Sequence, residues 1–190
     1  MFAHADLNPE MPPSTWEEMI ETGKRIVKYM DRCKKGDNYA VMLWIDGFYG
    51  IAPFFWANEG TLFSQDGTQV KLTSAEMMKT LTQICDLVFI YKIMPQKWSG
   101  WEAGDAFLTG NLIMGPFTSA AIAYGEQNLP WTLGVTHIPS INGKRFTVLS
   151  GSALVTFAKK KKAKAASLDF ALWLVNKKTL RKFTSSGIFR

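Results

Sequence analysis

Histidine and cysteine are scarce in this chain: His4, His137, Cys33 and Cys85 are the only ones in 190 residues. They form neither a C-x-x-C pair nor any zinc-ligand spacing, which removes metal-finger and dithiol chemistry from consideration. Long apolar runs are missing too, none approaching the ~20 residues of a membrane span. The opening MFAHADLNPEMPP has no basic start and no apolar core, so it does not read as a secretory signal. No Gly-rich phosphate loop occurs. G-x-S-x-G is absent as well, because SGSAL (Ser150–Leu154) lacks its second glycine.

A nucleophilic enzyme needs a base beside its nucleophile. His4 lies in a loose N-terminal stretch, and His137 sits two residues before Pro139, where a hydrogen-bonded structural role is expected. Paired carboxylates could act on glycosides. The candidates Asp46, Glu59, Glu102 and Asp105 are not fixed relative to one another by their spacing, and Glu17 and Glu76 are accounted for as helix caps. No cofactor and no metal is expected, and catalysis is not.

What is present is an apolar, basic chain. Hydrophobic residues make up 47% of it, enough for a substantial core, and the net charge is +6. Much of the basic excess lies in 159–164 and 177–182. Without a nucleic-acid module beside it, the lysine run reads as a solvated helix face.

Ser14-x-x-Glu17, Thr73-x-x-Glu76 and Ser99-x-x-Glu102 have the form of capping boxes and predict three helix starts. Trp16, Met19, Ile20, Gly23, Ile26, Val27 and Met30 recur at helical spacing after the first. Met78, Leu81, Ile84, Cys85 and Val88 do so after the second, which predicts a buried Cys85. YAVMLWI (Tyr39–Ile45) and LIMGPF (Leu112–Phe117) read as buried strands. WTLGVTHIP (Trp131–Pro139) reads as a further strand, and Arg145–Phe157 as a long one broken by Ser150-Gly151-Ser152. Short helices are expected within Asp46–Gly60 and over Thr118–Gly125. Turns are expected at Asp66-Gly67 and Asn142-Gly143. Strands alternating with helices predict an α/β fold with a mainly parallel sheet.

Aromatic rings crowd the region after the first strand: Trp44, Phe48, Tyr49, Phe54, Phe55 and Trp56. Most such rings belong to cores. Trp44, however, ends a strand and Tyr49 lies in the loop beyond, where α/β folds place ligands. Thr118 and Ser119 occupy a second strand-to-helix junction, whose hydroxyls and free N–H groups can hold ligand oxygens or cap the helix.

The order of several segments resembles family 1 extracellular solute-binding proteins. PPSTWEEM is similar to the start of that family's second lobe. WEAGDAFLTGNLIMGPFTS resembles its A-x-x-A-F-x-x-G-x-x-A-M segment through Ala103, Ala106, Phe107, Gly110, Ile113 and Met114. WTLGVTHIPSINGKR looks like its (F/W)-G-V-x-x-(L/I)-P strand. LSGSALVTFAKKKKAKAASLDFALWLV resembles the strand, polar break and helix that return to the first lobe.

The resemblance implies a periplasmic-binding-protein-like type II (clam-shell) fold, present here as an internal fragment. Residues 1–147 would form the second lobe, 148–152 the hinge crossover, and 153–190 a returning segment of the first lobe. It implies a substrate-binding component of an ABC importer, capturing a carbohydrate or glycerol-3-phosphate by lobe closure. Its partners would be that small-molecule ligand and a membrane permease, not nucleic acid. The parent would be a monomer, periplasmic or a cell-surface lipoprotein. The ligand would meet Trp44, Asp46, Tyr49, Thr118, Ser119 and Gly151. The alternatives are a sugar-acting hydrolase or transferase, or a basic interaction module.

Overall fold

The computed structural model describes residues 1–33, 38–45, 47–97, 99–149 and 153–185. The chain divides into two compact units, one of residues 1–116 and 134–148, the other of residues 117–133 and 149–190.

The first unit is built on helix α1, Trp16–Cys33. Its apolar stripe is buried as the periodicity predicts: Trp16, Met19, Ile20, Gly23, Ile26 and Met30. Ile26 and Met30 are fully enclosed, each contributing up to about 1.5–3 kcal/mol of transfer free energy. The predicted capping box is displaced by one residue. Thr15 Oγ1 accepts from the Glu18 N–H at 3.2 Å, and the Glu18 carboxylate reaches back to the Ser14 N–H at 2.8 Å. Glu17 is exposed on the outer face.

Strand β1 (Tyr39–Val41) pairs in parallel with β2 (Leu112–Met114), Tyr39 opposite Leu112 and Val41 opposite Met114. On its other side, the N–H groups of Ala40 and Val41 both donate to the Ile93 carbonyl, at 2.9 and 3.0 Å. Between the strands lie α2 (Phe48–Ala57), α3 (Ala75–Phe89) and α4 (Gly100–Leu108). The third capping box forms as read: Ser99 Oγ accepts from the Glu102 N–H and the Glu102 carboxylate from the Ser99 N–H.

Helix α3 departs from its expected phase. Ser74, not Thr73, is its cap. The buried stripe is Met77, Thr80, Ile84 and Leu87, while Met78, Leu81 and Cys85 face solvent. The expected buried Cys85 thiol is therefore exposed, as is Cys33, and both are free. The cause is a polar contact that an apolar pattern does not register. Buried Asn58, just past α2, donates through Nδ2 to Thr80 Oγ1 at 3.0 Å and to Gln83 Oε1 at 2.7 Å. Thr80 Oγ1 donates in turn to the Glu76 carbonyl at 2.7 Å. With its hydrogen bonds satisfied, a threonine can occupy the buried stripe, and the helix turns accordingly.

Residues 140–146 strap this unit together. Ser140 bridges to Thr15, and its N–H and hydroxyl both donate to the Ser14 carbonyl, at 2.9 and 3.1 Å. Arg145 Nη2 donates to the same oxygen at 3.0 Å. Between them Asn142 and Gly143 have φ of 51° and 72°, the pair of positive values that defines a type I′ turn. Ile141 and Lys144 exchange backbone bonds across it. The expected Asn-Gly turn is thus present, as is the Asp66-Gly67 turn, with Gly67 at φ 72°.

Two expected strands are not formed. Residues 131–139, and the described part of 145–157, have no ladder assignment. A β-type composition shows only that a segment suits a pleated surface; without a neighbouring strand to exchange backbone bonds, no ladder forms. His137 is exposed.

The second unit contains α5 (Ala120–Asn128), α6 (Lys161–Val175) and α7 (Lys177–Ser185). Lys159 and Lys160 precede α6, Lys161 and Lys162 open it, and all four are exposed. Cations at a helix N-terminus oppose its dipole, so the run is a solvated entry to the helix and not a stabilising cap. Asn176 Oδ1 accepts from the Thr179 N–H at 2.9 Å and starts α7.

Candidate functional site

The junction after β1 carries the first group of expected site residues. Trp44 is half-buried, its ring packed against the first unit's core. Tyr49 lies in the first turn of α2 and is 45% exposed. The helix start that carries Tyr49 makes a close backbone approach to residue 44. A Cβ on Gly50 would stand 1.6 Å from the Trp44 carbonyl oxygen, so only glycine lets the first turn of α2 rest on the residue-44 peptide. Asp46, expected to accept hydroxyl hydrogen bonds here, lies outside the described residues.

Helix α2 has one open side. Phe54 and Phe55 are core residues at 2% and 0% exposure. Tyr49 and Trp56 are seven residues apart and so two turns apart on one face. Trp56 packs edge-on against Phe48, centroids 6.2 Å apart, and against Phe146 at 6.4 Å. Phe146 is held there by its neighbours in the strap. Lys144 is ion-paired with Glu59 at the end of α2, and Arg145 is bonded to Ser14. The lysine hydrogen bond lowers the Glu59 carboxyl pKa below its ordinary value, with the Coulomb attraction of Lys144 acting in the same direction.

The result is a rim of aromatic rings, Tyr49, Phe48, Trp56 and Phe146, bordered by a cation and a carboxylate. Sequence reading placed Trp56 with the core and Phe146 in a strand, and so missed both. The seven-residue spacing from Tyr49 was the available signal for Trp56. None existed for Phe146, which arrives through the long-range strap.

Thr118 and Ser119 belong to the second unit, at the start of α5, and both are exposed. Ser119 occupies the cap position with φ −57° and ψ −25° and makes no side-chain cap hydrogen bond. Its hydroxyl is therefore not used in capping, unlike those of Thr15, Ser74 and Ser99. Gly47, before α2, has no side chain with which to cap. Gly151 and its serine neighbours, the expected hinge, lie outside the described residues.

Flat rings with hydrogen-bonding groups at their edge suit ligands with an apolar face and several hydroxyls. Open helix N-termini suit hydroxyl and phosphate oxygens. Among the described residues, the carboxylates whose pKa values shift are Glu18, Glu59, Asp66, Glu76 and Glu102. All five are lowered by hydrogen bonds, with cap or turn partners, with Lys144, or, for Glu76, first with its own backbone N–H.

Comparison with known proteins gives a consistent result. The family described as bacterial extracellular solute-binding protein matches residues 1–189. No curated protein matches the sequence. Among solved structures, a maltose/maltodextrin-binding domain MalE from Bdellovibrio bacteriovorus, bound to maltotriose, superposes with a TM-score of 0.79 at 22% identity, covering 94% of this chain and 48% of that one. An ABC transporter solute-binding protein from Thermotoga lettingae, bound to α-D-tagatose, does so at 0.79 and 22%, covering 98% and 48%. UgpB from Mycobacterium tuberculosis, in complex with glycerophosphocholine, matches at 0.73 and 14%, covering 97% and 47%. The chain spans about half the length of the solved structures it matches. Its α/β architecture is that of part of a type II periplasmic-binding-protein fold.

Proposed function

Because the chain belongs to the bacterial extracellular solute-binding proteins, we propose that it contributes to the capture of a small hydroxyl-rich solute, a carbohydrate or a glycerol phosphate ester, for an ABC importer. The observation that carries this reading is the family match along 1–189. The open aromatic face of α2 supports it with a suitable contact surface. The proposed mechanism is binding without bond chemistry: two lobes close over the solute, and a membrane permease recognises the closed form. The parent would work as a monomer in the periplasm or at the cell surface. Residues 1–147 are assigned to one lobe, 148–152 to the crossover and 153–190 to the other.

Trp44 and Tyr49 are assigned stacking surface, with Trp56 and Phe146 extending it. Asp46 is assigned hydroxyl acceptance. Thr118 and Ser119 are assigned ligand oxygens, through hydroxyls and the open N-terminus of α5. Gly151 is assigned a close backbone approach.

Calorimetry on the longer protein, titrated with maltotriose, tagatose, glycerol 3-phosphate and glycerophosphocholine, tests the assignment. Tyr49→Ala is expected to weaken binding of the accepted solute by about 1–3 kcal/mol, the scale of one buried apolar or hydrogen-bonded contact. Unchanged affinity in both Tyr49→Ala and Ser119→Ala, with folding intact, refutes the site. Conversion of the solute to a product on incubation refutes the mechanism.

A further inference from the structure

The basic residues are not spread evenly. Nine of the chain's 22 lysines and arginines lie within 159–182, a stretch that holds one acidic residue, Asp169. Lys159–Lys162 and Lys164 stand at the start of α6, and Lys177, Lys178, Arg181 and Lys182 lie in α7. All nine are exposed. Among the described residues none of them is in an ion pair. The four cations of α7 fall within an arc of about 140° around the helix. Thr179, Leu180 and Phe183 take its other side, where Thr179 is buried.

A solvated face ordinarily intersperses charges of both signs. Here one sign is collected, and at a cost. The first turns of α6 and α7 hold no acidic residue. Lys161, Lys162, Lys177 and Lys178 stand there instead and oppose both helix dipoles. Charge that neither pairs within the fold nor suits its own helix destabilises the free protein, and an anionic partner relieves that. The layout narrows the kind of partner. The two groups flank α6, whose 15 residues span about 22 Å, so a single small anion does not reach both, whereas an extended array of phosphates does. Neither group interleaves aromatic rings with its cations, as a platform for single-stranded nucleic acid does.

We propose that residues 159–164 and 177–182 form a docking surface for an anionic phospholipid bilayer, its headgroup phosphates taking the place of the missing acidic partners. The contact is peripheral: the cations lie over the headgroups and no segment inserts. It concentrates the protein at the surface in which an importer lies, and it is separate from the aromatic rim. The choice of a lipid surface rests on the family reading of the chain but not on its solute.

The 190-residue chain is sedimented with vesicles of equal parts phosphatidylglycerol and phosphatidylcholine, and with vesicles of phosphatidylcholine alone. Binding is expected to the first and not to the second, and is expected to be lost at molar salt, where the Debye length falls to about 3 Å. Glutamine at Lys159–Lys162, and separately at Lys177, Lys178, Arg181 and Lys182, should each weaken it at least tenfold, since every cation at a charged surface contributes to the attraction. Thermal unfolding followed by circular dichroism guards the result: both variants should be at least as stable as the parent, because the removed charges oppose the helix dipoles. Equal binding to both kinds of vesicle, or binding that survives molar salt and is lost only in Phe170→Ala, overturns the proposal by showing apolar partition. Binding unchanged in both glutamine variants overturns it, as does tighter binding to duplex DNA than to the anionic vesicles at equal phosphate concentration. Vesicle binding that follows these expectations in a protein that takes up none of the solutes above leaves this proposal standing and removes the functional one.

Discussion

Replacing Gly50 by alanine separates two effects that ordinarily travel together. Alanine is the better helix former, and in a helix interior the exchange is worth about 0.5–1 kcal/mol in its favour. At position 50 the added methyl would lie 1.6 Å from the Trp44 carbonyl oxygen, 2.6 Å from the carbonyl carbon and 3.0 Å from the Trp44 Cβ. Comfortable heavy-atom contacts begin near 3.5 Å, so the loop or the helix must yield by roughly 2 Å. The obstacle is backbone and cannot rotate away. Overpacking of this kind costs about 1–3 kcal/mol, and the large displacement points to the upper part of that range. The net expectation is a loss of about 1–2 kcal/mol. Gly104→Ala, in the middle of α4, is the control: nothing lies within 4 Å of the added methyl, so only the propensity gain of about 0.5–1 kcal/mol remains. The two variants should differ by about 2–3 kcal/mol in urea unfolding followed by circular dichroism, read as a shift in midpoint at constant slope. The Trp44 indole resonance should move in the first and stay in the second. Equal stabilisation by both substitutions, with Trp44 unmoved, would refute the close approach and the positioning of Tyr49 that depends on it.

Replacement of Lys159–Lys162 by glutamine should leave solute affinity in the longer protein nearly unchanged, since exposed charges of this kind contribute little. A tenfold loss at physiological salt would place the run in the site. Ser99→Ala should destabilise α4 by about 1 kcal/mol through loss of the cap. The Glu102 carboxyl pKa is lowered by the Ser99 N–H and then by its hydroxyl. That contribution is present above the ordinary carboxylate value and lost as pH falls through the lowered one. Ser99→Ala keeps the N–H and removes only the hydroxyl's smaller share, so it should flatten the acid limb of the stability profile slightly, and a profile parallel to the parent's would show that the hydroxyl contributes nothing to it.

The features legible in the sequence are those decided locally. The Ser99 box, the Asn-Gly turn and the stripe of α1 are fixed by neighbouring residues and one buried face, and all formed. The readings that failed depended on distant partners. The phase of α3 is set by Asn58, which meets Thr80 across 22 positions of sequence. The caps of α1 and α3 each lie one residue later than expected because Thr15 and Ser74 compete with their neighbours for the same role. Strands over 131–139 and 145–157 need a ladder that composition does not provide. In the aromatic rim, Tyr49 was expected in a loop and lies instead in the first turn of α2, and Phe146 was not legible, because the contacts that deliver it reach back to Glu59 and Ser14.

The Ser14 carbonyl also imposes an order of events. It accepts three hydrogen bonds, two from Ser140 and one from Arg145, at separations of 126 and 131 residues. A nascent chain emerging at about 5–20 residues per second reaches those partners roughly 6–25 s after Ser14 itself has been made. During that interval the first turn of α1 and the edge of Trp56 lack their cover, while α2 and α3 can already pack together through Asn58 and Thr80. The strap is therefore a late, entropically expensive closure, and the aromatic rim is completed only when Phe146 arrives with it.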